Sequence, residues 1–227
     1  MKHIGIVNIT TVGACICANE IVAESIRLGL GDNHPEFTLH AFPFEKYKTS
    51  VLAQDWNTTA KIILESITKL QQSGAEFIII PANTPHYCFD QIKEKSPLPI
   101  LNIIELTVNE CIRRNFKKVG VLGTKLTMQG GLFNSKLEKS GIQAVIPNNE
   151  ICDRIQSLIF DEILSFKIKP ESVQKVAQDI KNLNCDAVIL GCTELPEVYS
   201  ESSLGVSAID TTRLLAQKAV EYAMGNI

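Results

Sequence analysis

The chain has 227 residues and a mass of 25.0 kDa, which is enough for two lobes of ordinary domain size. Apolar residues make up 45% and charged residues 21%, as in an ordinary globular protein. The net charge is −3 and there is no basic cluster, so nucleic acid is excluded as the expected partner and a small molecule is favoured.

Short β-branched runs alternate with longer segments of helical period, a pattern that predicts parallel strands joined by crossover helices. The predicted strands are 3–7, 38–41, 77–80, 100–103, 118–122, 143–146, 187–190 and 206–209. The predicted helices are 18–28, 57–73, 107–115, 131–140, 153–164, 171–183 and 211–223. The predicted fold class is therefore α/β.

Two stretches of the sequence read as copies of one structural unit. Residues 75–84 (AEFIIIPANT) and 185–194 (CDAVILGCTE) each run from an acid through an apolar strand to a turn and hydroxyl or amide side chains. Aligning them at a shift of 110 residues places Ala82 on Cys192. The second copy thus carries a thiol where the first carries a methyl group.

This duplication predicts two similar lobes, each a doubly wound parallel sheet, related by a pseudo-twofold axis. The predicted N-terminal lobe comprises 1–98 and 206–227, and the C-terminal lobe comprises 99–205. If the two lobes face each other, Ala82 and Cys192 are expected to lie across one cleft.

The turn after the strand 187–190 is the first candidate for chemistry. Its small and hydroxyl residues, with Pro196 close behind, predict a helix start. The positive end of a helix dipole lowers a cysteine pKa, so we expect Cys192 to form a thiolate near neutral pH and to act as a base or nucleophile. The alternative is a buried apolar cysteine that fills the turn.

The matching turn of the first copy offers polar groups rather than a thiol. Asn83 or Thr84 is the expected helix cap, and Pro85 opens the helix. Two helix N-termini aimed at one cleft would bind carboxylates, with added hydrogen bonds from Asn83, Thr84 and Thr193. Taken separately, each of these residues could be a helix cap and nothing else.

Two further loops follow predicted strands at the same edge, where ligands of open α/β sheets bind. Thr124 and Thr127 follow one strand, and Asn8 ends another, so these side chains are candidate ligand contacts. Lys48 and Lys125 are candidates for a distal carboxylate, although a lysine in a surface loop is usually only solvated.

Metal and cofactor signals are missing from the sequence. No Cys/His set has the spacing of a zinc site, and no glycine-rich nucleotide loop occurs. We therefore predict no metal and no cofactor. Seven cysteines without framework spacing favour a reducing compartment, and no apolar run approaches the roughly 20 residues that span a bilayer. The sequence therefore predicts a cytoplasmic protein without membrane contact.

At these residues the chain resembles the aspartate/glutamate racemase superfamily, whose enzymes need no pyridoxal phosphate. The resemblance covers essentially the whole chain and is carried by the motifs Gly191-Cys192-Thr193-Glu194, Asn83-Thr84 with His86, 4–6, 119–124 and 209–212. It implies two half-domains around one acidic amino acid, and a homodimer. It also implies a two-base mechanism in which one thiolate removes the α-proton and an opposing thiol protonates the other face. Cys192 matches one base, and Asn83, Thr84 and Thr193 match the groups on the α-carboxylate.

The sequence departs from this family where the first catalytic cysteine should stand, because Ala82 cannot transfer a proton. Three explanations are open: a Cys-to-Ala variant made to trap ligand, a natural branch with another residue at this place, or a protein that only binds. The opening loop, Asn8-Ile9-Thr10, also lacks the family's usual glycines.

We therefore predict an isomerase, an amino-acid racemase of the aspartate/glutamate type, whose single thiol base is Cys192. The second proton relay is absent or supplied by Thr84, His86 or water. The alternatives are a one-base lyase, decarboxylase or isomerase that acts on a small dicarboxylate, and a binding protein without catalysis. An acidic amino acid or a dicarboxylate is the expected small-molecule partner in each case.

Overall fold

A computed structural model describes residues 1–226 of the chain. The strands are β1 (Ile4–Asn8), β2 (Phe37–Ala41), β3 (Phe77–Ile79), β4 (Ile100–Leu101), β5 (Lys118–Leu122), β6 (Gln143–Val145), β7 (Ala187–Leu190) and β8 (Ser207–Asp210). The helices are α1 (Thr11–Arg27), α2 (Glu45–Leu52), α3 (Trp56–Gln72), α4 (Phe89–Lys95), α5 (Ile103–Arg113), α6 (Lys125–Gln129), α7 (Asn134–Lys139), α8 (Asn149–Ser157), α9 (Pro170–Asn182), α10 (Glu201–Leu204) and α11 (Thr211–Ala223). Leu158–Ile163 extends α8 as a π-helix, and Thr84–Cys88 and Leu195–Glu197 are 3₁₀ turns.

The strands form two parallel sheets with the same topology. The first has the order β2-β1-β3-β4 and the second the order β6-β5-β7-β8. Each sheet lies in its own compact unit: residues 1–106 with the described residues from 212 onward, and residues 107–211. The predicted α/β fold with two similar lobes is confirmed.

Each unit has a hydrophobic core between its own sheet and helices. In the first unit, buried residues of α3 such as Ile63, Ile67 and Leu70 pack with Ile78 of β3. In the second unit, residues of β5, β7, α8 and α9 pack together, namely Leu122, Leu190, Ile155, Val176 and Ile180. β3 and β7 are buried along their whole length, because a central parallel strand is covered on both faces.

An acid stands at the same place before the central strand of each sheet. The Glu76 carboxylate accepts a hydrogen bond from the His3 amide at 2.7 Å. The Asp186 carboxylate accepts from the amides of Lys117 and Lys118 at 2.7 and 2.8 Å. Both acids thus satisfy backbone N–H groups where the neighbouring strand begins, which explains why the duplicated segments both open with an acid.

The observed domain boundaries differ from those predicted at 98/99 and 205/206. β4 pairs with β3 of the first sheet, so the first boundary falls after Leu106. β8 pairs with β7 of the second sheet, so the second boundary falls after Thr211. The reason is that a strand belongs to the sheet that satisfies its backbone hydrogen bonds, and the sequence pattern does not identify its partner.

Several helix bounds also differ from the prediction. α1 begins at Thr11 rather than at residue 18, and α5 begins at Ile103, which the prediction assigned to a strand. Three short helices, α2, α6 and α10, were not predicted, and α4 was predicted only through the helix start at Pro85, without bounds. Such short segments carry too few apolar residues to establish a helical period. Within residues 1–226, no helix has the length and apolar character needed to cross a membrane.

Candidate active site

The turn after β7 is built around Gly191. The Gly191 amide donates to the Leu122 carbonyl at 2.8 Å, and a Cβ added to Gly191 would lie 2.7 Å from that oxygen. Only glycine allows this close approach between the ends of β5 and β7. The close approach positions the next residue, Cys192, at the carboxyl edge of the second sheet.

The Cys192 thiol donates a hydrogen bond to the Glu194 carboxylate, with Sγ 2.8 Å from Oε2. Burial raises the pKa of Cys192 well above its usual value, and the negative charge and hydrogen bond of Glu194 raise it further. The backbone N–H groups of Thr193 and Glu194 oppose this rise in the pKa but do not cancel it. The expected lowering of the pKa by a helix dipole is therefore wrong.

The helix expected after Cys192 is only one turn long. The 3₁₀ turn Leu195–Glu197 follows, with Pro196 in its first positions. Three residues align too few peptide dipoles to offset the burial of a thiol. The local sequence signal was correct for a helix start, but the chain does not continue the helix.

Thr127 lies beside the same turn. The Thr127 methyl group is 3.1 Å from the position of a Cβ added to Gly191, and the residue is 1% exposed. The Thr124 hydroxyl caps α6 by accepting from the Thr127 amide at 3.3 Å, and the two hydroxyl oxygens are 3.1 Å apart. The structure thus brings Thr124, Thr127 and Cys192 to one edge of the second sheet.

Lys125 does not lie free at this edge. Its ammonium group forms an ion pair with Asp153, and its amide donates to Gln156 at 2.8 Å. The candidate role of Lys125 at a distal carboxylate would require this ion pair to break.

The matching turn of the first unit follows β3. Ala82 is partly buried against the core of its unit, and Asn83 is almost fully buried. Asn83 occupies the predicted cap position of the 3₁₀ turn Thr84–Cys88, but its side chain forms no capping hydrogen bond there. The His86 ring lies 3.0 Å from the Ala82 carbonyl through Nδ1. A carbonyl only accepts, so Nδ1 carries the proton in the neutral ring and Nε2 carries the lone pair.

Asn8 ends β1, which pairs directly with β3, and it is 2% exposed. Thr10 is the N-cap residue of α1, and its buried hydroxyl has no hydrogen-bond partner within residues 1–226. Lys48 lies elsewhere, on α2, where its side chain is half exposed and 3.5 Å from Glu45. The first sheet therefore gathers Asn8, Ala82 and Asn83 at its carboxyl edge but does not include Lys48.

Two residues at the second edge were missing from the predicted site. Glu194 belongs to the sequence motif but was not predicted as a site residue, because its contact with Cys192 depends on the fold of the turn. Thr211 donates from its hydroxyl to the Leu190 carbonyl at 3.3 Å, which ties the end of β8 to the end of β7. Within residues 1–226, no group of three or more His, Cys, Asp or Glu side chains could hold a metal ion.

Two parallel-sheet units of the same topology, with polar groups at their carboxyl edges, define a duplicated α/β protein. Residues 4–219 match the model of the Asp/Glu/Hydantoin racemase family, so the chain belongs to this family. An aspartate racemase homologue from Pyrococcus horikoshii OT3 is 29% identical, with a TM-score of 0.85 over 99% of this chain and 100% of that one. The resemblance noted from the sequence is confirmed.

Curated relatives carry racemase names. The chain is 28% identical to the broad specificity amino-acid racemase RacX of Bacillus subtilis, over 83% of this chain and 82% of RacX. It is 26% identical to the glutamate racemase of Aquifex aeolicus, over 73% of this chain. The match spans 65% of that glutamate racemase, which is less than two thirds of its length.

Proposed function

We propose that this protein is an amino-acid racemase of the aspartate/glutamate type, which moves a proton at the α-carbon without a cofactor. The observation that carries the proposal is the hydrogen-bonded Cys192 thiol at the end of β7, in a chain that belongs to the Asp/Glu/Hydantoin racemase family. A thiol at such a position can exchange a proton with a bound substrate.

The proposed roles follow the groups at the sheet edges. We propose that Cys192 is the base on one face of the α-carbon and that residue 82 holds the position of the missing second base. We propose that the α-carboxylate binds to the hydroxyl and amide groups that follow β3 and β7. These residues are Asn83, Thr84 and Thr193, with further contacts from Thr124, Thr127 and Asn8. Lys48 is proposed for the distal carboxylate, which requires it to exchange its contact with Glu45 for the ligand.

The alanine at position 82 alters the activity in this proposal. A methyl group donates no proton, so the carbanion formed by Cys192 is protonated on the opposite face only by Thr84, His86 or water. In the neutral tautomer Nε2 of His86 carries a lone pair, so the ring must first take up a proton there before it can protonate the carbanion. Racemisation is therefore expected to be slower than proton exchange on the Cys192 face.

Exchange of the α-hydrogen in D₂O tests this proposal. The protein is incubated with each enantiomer of aspartate and glutamate, and deuterium incorporation and optical inversion are followed by NMR and chiral chromatography. We expect exchange from one enantiomer to be much faster than from the other. Equal exchange from both enantiomers would contradict a single base, and no exchange from any amino acid offered would contradict the racemase.

A second candidate function is favoured by the same alanine. A single thiol suffices for a lyase, decarboxylase or isomerase that acts on a small dicarboxylate, since only one proton is delivered. Substituted malonates, with release of CO₂ as the readout, separate this function from racemisation. A protein that only binds would instead show thermal stabilisation by the ligand without turnover, and Cys192→Ala would leave that stabilisation unchanged.

We also propose that the protein is a cytoplasmic homodimer. The dimer is implied by the family resemblance, and light scattering coupled to gel filtration tests it. The cytoplasmic location is supported by the seven cysteines, which lack the spacing of a disulfide framework, because exposed or partly exposed thiols such as Cys15 and Cys185 persist in a reducing compartment. Fractionation of cells that produce the protein tests the location.

A further inference from the structure

The segment that joins α8 to α9 exposes an unusual amount of apolar surface. It begins with the π-helix Leu158–Ile163, a conformation that is rare in proteins and occurs frequently at functional sites. Four large apolar side chains lie exposed within nine positions, namely Phe160, Leu164, Phe166 and Ile168. Single apolar residues scattered over a surface need no explanation, but such a concentration marks a place where another molecule binds.

Phe166 is the residue of this segment that an isolated chain explains least. Its side chain is 89% exposed, so folding gains almost nothing from the ring. Its backbone φ is 56°, in the left-handed region that glycine adopts without cost and a bulky residue adopts only with strain. An aromatic side chain that costs conformational energy and stays unburied in its own chain is expected to be buried in a complex.

A cavity of about 400 Å³ lies open beside this segment, in the same unit of the chain. Residues on both sides of the connecting loop line it, among them Ser157, Leu158, Glu162, Glu171, Ser172 and Val176. Phe166 belongs to that loop but does not line the cavity, so its ring does not fill the cavity of its own chain. The volume is ample for one aromatic side chain, since pockets of about 300–1,000 Å³ accept drug-sized ligands.

The charges left at the cavity and at the loop are opposite in sign. Arg154 and Lys175 also line the cavity, but both form ion pairs with the buried Asp179 carboxylate. Within residues 1–226, neither Glu171 at the cavity nor Lys167 beside Phe166 forms an ion pair. The projecting ring therefore has a basic neighbour, and the cavity has an acidic one.

We propose that this face binds a second copy of the same chain, with Phe166 of each copy inserted into the cavity of the other. An isologous pair about a twofold axis needs a self-complementary face, because each contact is then made twice. This face carries both halves of the contact, the projecting ring and the open cavity, and in the pair Lys167 of each copy lies against Glu171 of the other. The inference rests on the homodimer of the proposed function, whose surface it names, and not on the catalysis.

The area of the face agrees with a small specific interface. A buried aromatic side chain contributes about 150–250 Å², so Phe160 and Phe166 supply on the order of 300 Å² in each copy from their exposed fractions. Leu164, Ile168 and the cavity rim of both copies bring the total towards the ~1,000 Å² that a specific interface requires. Phe166 lies at the centre of this contact, where binding energy concentrates.

Phe166→Gly separates association from folding. Glycine adopts the observed φ without strain, so the variant should be folded and no less stable than the wild type, which urea unfolding of dilute protein checks. Sedimentation velocity over a series of protein concentrations should show the dimer dissociation constant rising by about 30-fold or more. Leu52→Ala is the matched control, since Leu52 is also an exposed apolar residue but lies on α2 of the other unit, and it should leave association unchanged.

A charge exchange tests whether the contact is made between copies. Lys167→Glu places two acids together at each contact and Glu171→Lys places two bases together, so each variant alone should dimerise about tenfold more weakly. Mixing the two variants restores opposite charges at both contacts. With an affinity tag on one variant, recovery of the untagged other should therefore exceed the recovery of an untagged copy of the same variant. Equal recoveries would overturn the contact between Lys167 and Glu171.

A dimer whose dissociation constant is unchanged in Phe166→Gly would overturn the proposal, because another surface then forms the dimer. Particles that grow beyond two copies with concentration would also overturn it, since that contact is heterologous and does not close. A wild-type chain that stays monomeric would contradict both this inference and the proposed homodimer, but not the proposed racemase. Conversely, a dimer that depends on Phe166 in a protein without α-hydrogen exchange would contradict the racemase and support the interface.

Discussion

The turns after β3 and β7 occupy equivalent places in two sheets of the same topology, yet they carry different chemistry. The β7 turn carries a thiol bonded to a buried carboxylate, followed by a single 3₁₀ turn. The β3 turn carries the methyl group of Ala82, followed by a 3₁₀ turn that continues into α4. His86 Nδ1 lies 3.0 Å from the Ala82 carbonyl of that turn.

The two units are much more alike at the opposite ends of these strands. Glu76 and Asp186 both bind backbone amides where the neighbouring strand begins. Gly5 and Gly120 stand at corresponding places in β1 and β5, and a Cβ on either would crowd the next strand. Features that maintain the sheet are therefore present in both copies, whereas the reactive group is present in one. Two copies of a fold thus need not carry two copies of its chemistry.

The largest expected effect comes from removing the reactive group of the second turn. Cys192→Ser keeps the size of the side chain but replaces the thiol with a hydroxyl that does not ionise near neutral pH. We expect α-hydrogen exchange to fall by about 10²- to 10⁴-fold, measured by NMR in D₂O. Cys185→Ser, before the start of β7, is the matched control. An equal loss in both variants would argue against a special role for Cys192.

Adding a thiol to the first turn should make the two turns chemically alike. Ala82→Cys supplies an acid on the face that the alanine leaves without one, so racemisation should rise by about 10²-fold relative to single-face exchange. The measurement is the ratio of optical inversion to deuterium incorporation. Ala82→Ser adds a similar volume without a thiol and should leave the ratio near that of the parent. A ratio that stays the same in Ala82→Cys would contradict the proposed place of residue 82.

The corresponding glycines test how tightly each sheet is packed. A Cβ on Gly5 would lie 2.6 Å from Ile78 Cδ1 and 3.0 Å from Ala75 Cβ, and the latter atom cannot rotate away. A Cβ on Gly120 would lie 3.1 Å from Val188 Cγ1, a smaller overlap. We expect Gly5→Ala to lower the free energy of unfolding by about 1–3 kcal/mol and Gly120→Ala by less. Urea unfolding measures both, and equal losses would contradict the difference in packing.

Substitution of Glu76 or Asp186, the two acids that bind backbone amides before the central strands, should have the smallest effect. Hydrogen bonds from the amides of Lys117 and Lys118 lower the pKa of Asp186. Since the folded pKa lies below the unfolded one, this contribution to stability is present at neutral pH and is lost as the pH falls through the acid range. Because Asp186 is exposed, Asp186→Asn should cost about 1 kcal/mol or less at pH 7.

The comparison at acid pH distinguishes the charge of Asp186 from its packing. The difference in unfolding free energy between wild type and Asp186→Asn should narrow as the pH falls through the acid range, since the wild-type carboxylate is protonated first in the unfolded chain and then in the folded protein. A difference that does not narrow with falling pH would mean that shape rather than charge is responsible. Glu76→Gln should cost less than Asp186→Asn, because Glu76 accepts from one backbone amide rather than from two.

Elements with a clear apolar pattern between turn residues were predictable. The bounds of β5, β7 and α11 agree with the prediction because each is a continuous run whose apolar residues are bounded by turn residues. The start of α1 was not predictable, because Thr11–Cys17 contains small and β-branched residues that favour no helix. The sheet to which β4 and β8 belong was also not predictable, because pairing joins residues that are distant in sequence.

The sequence alone determined the α/β class, the duplication and the two turns where chemistry was sought, because these depend on local propensity and on a repeated pattern. Only the tertiary structure decided the direction in which the pKa of Cys192 is shifted. A turn sequence indicates the dipole of a nascent helix, but it does not tell how deeply a thiol is buried or which way a carboxylate two residues later points. Burial and the contact with Glu194 are properties of the packed chain, and together they outweigh the backbone N–H groups of the turn.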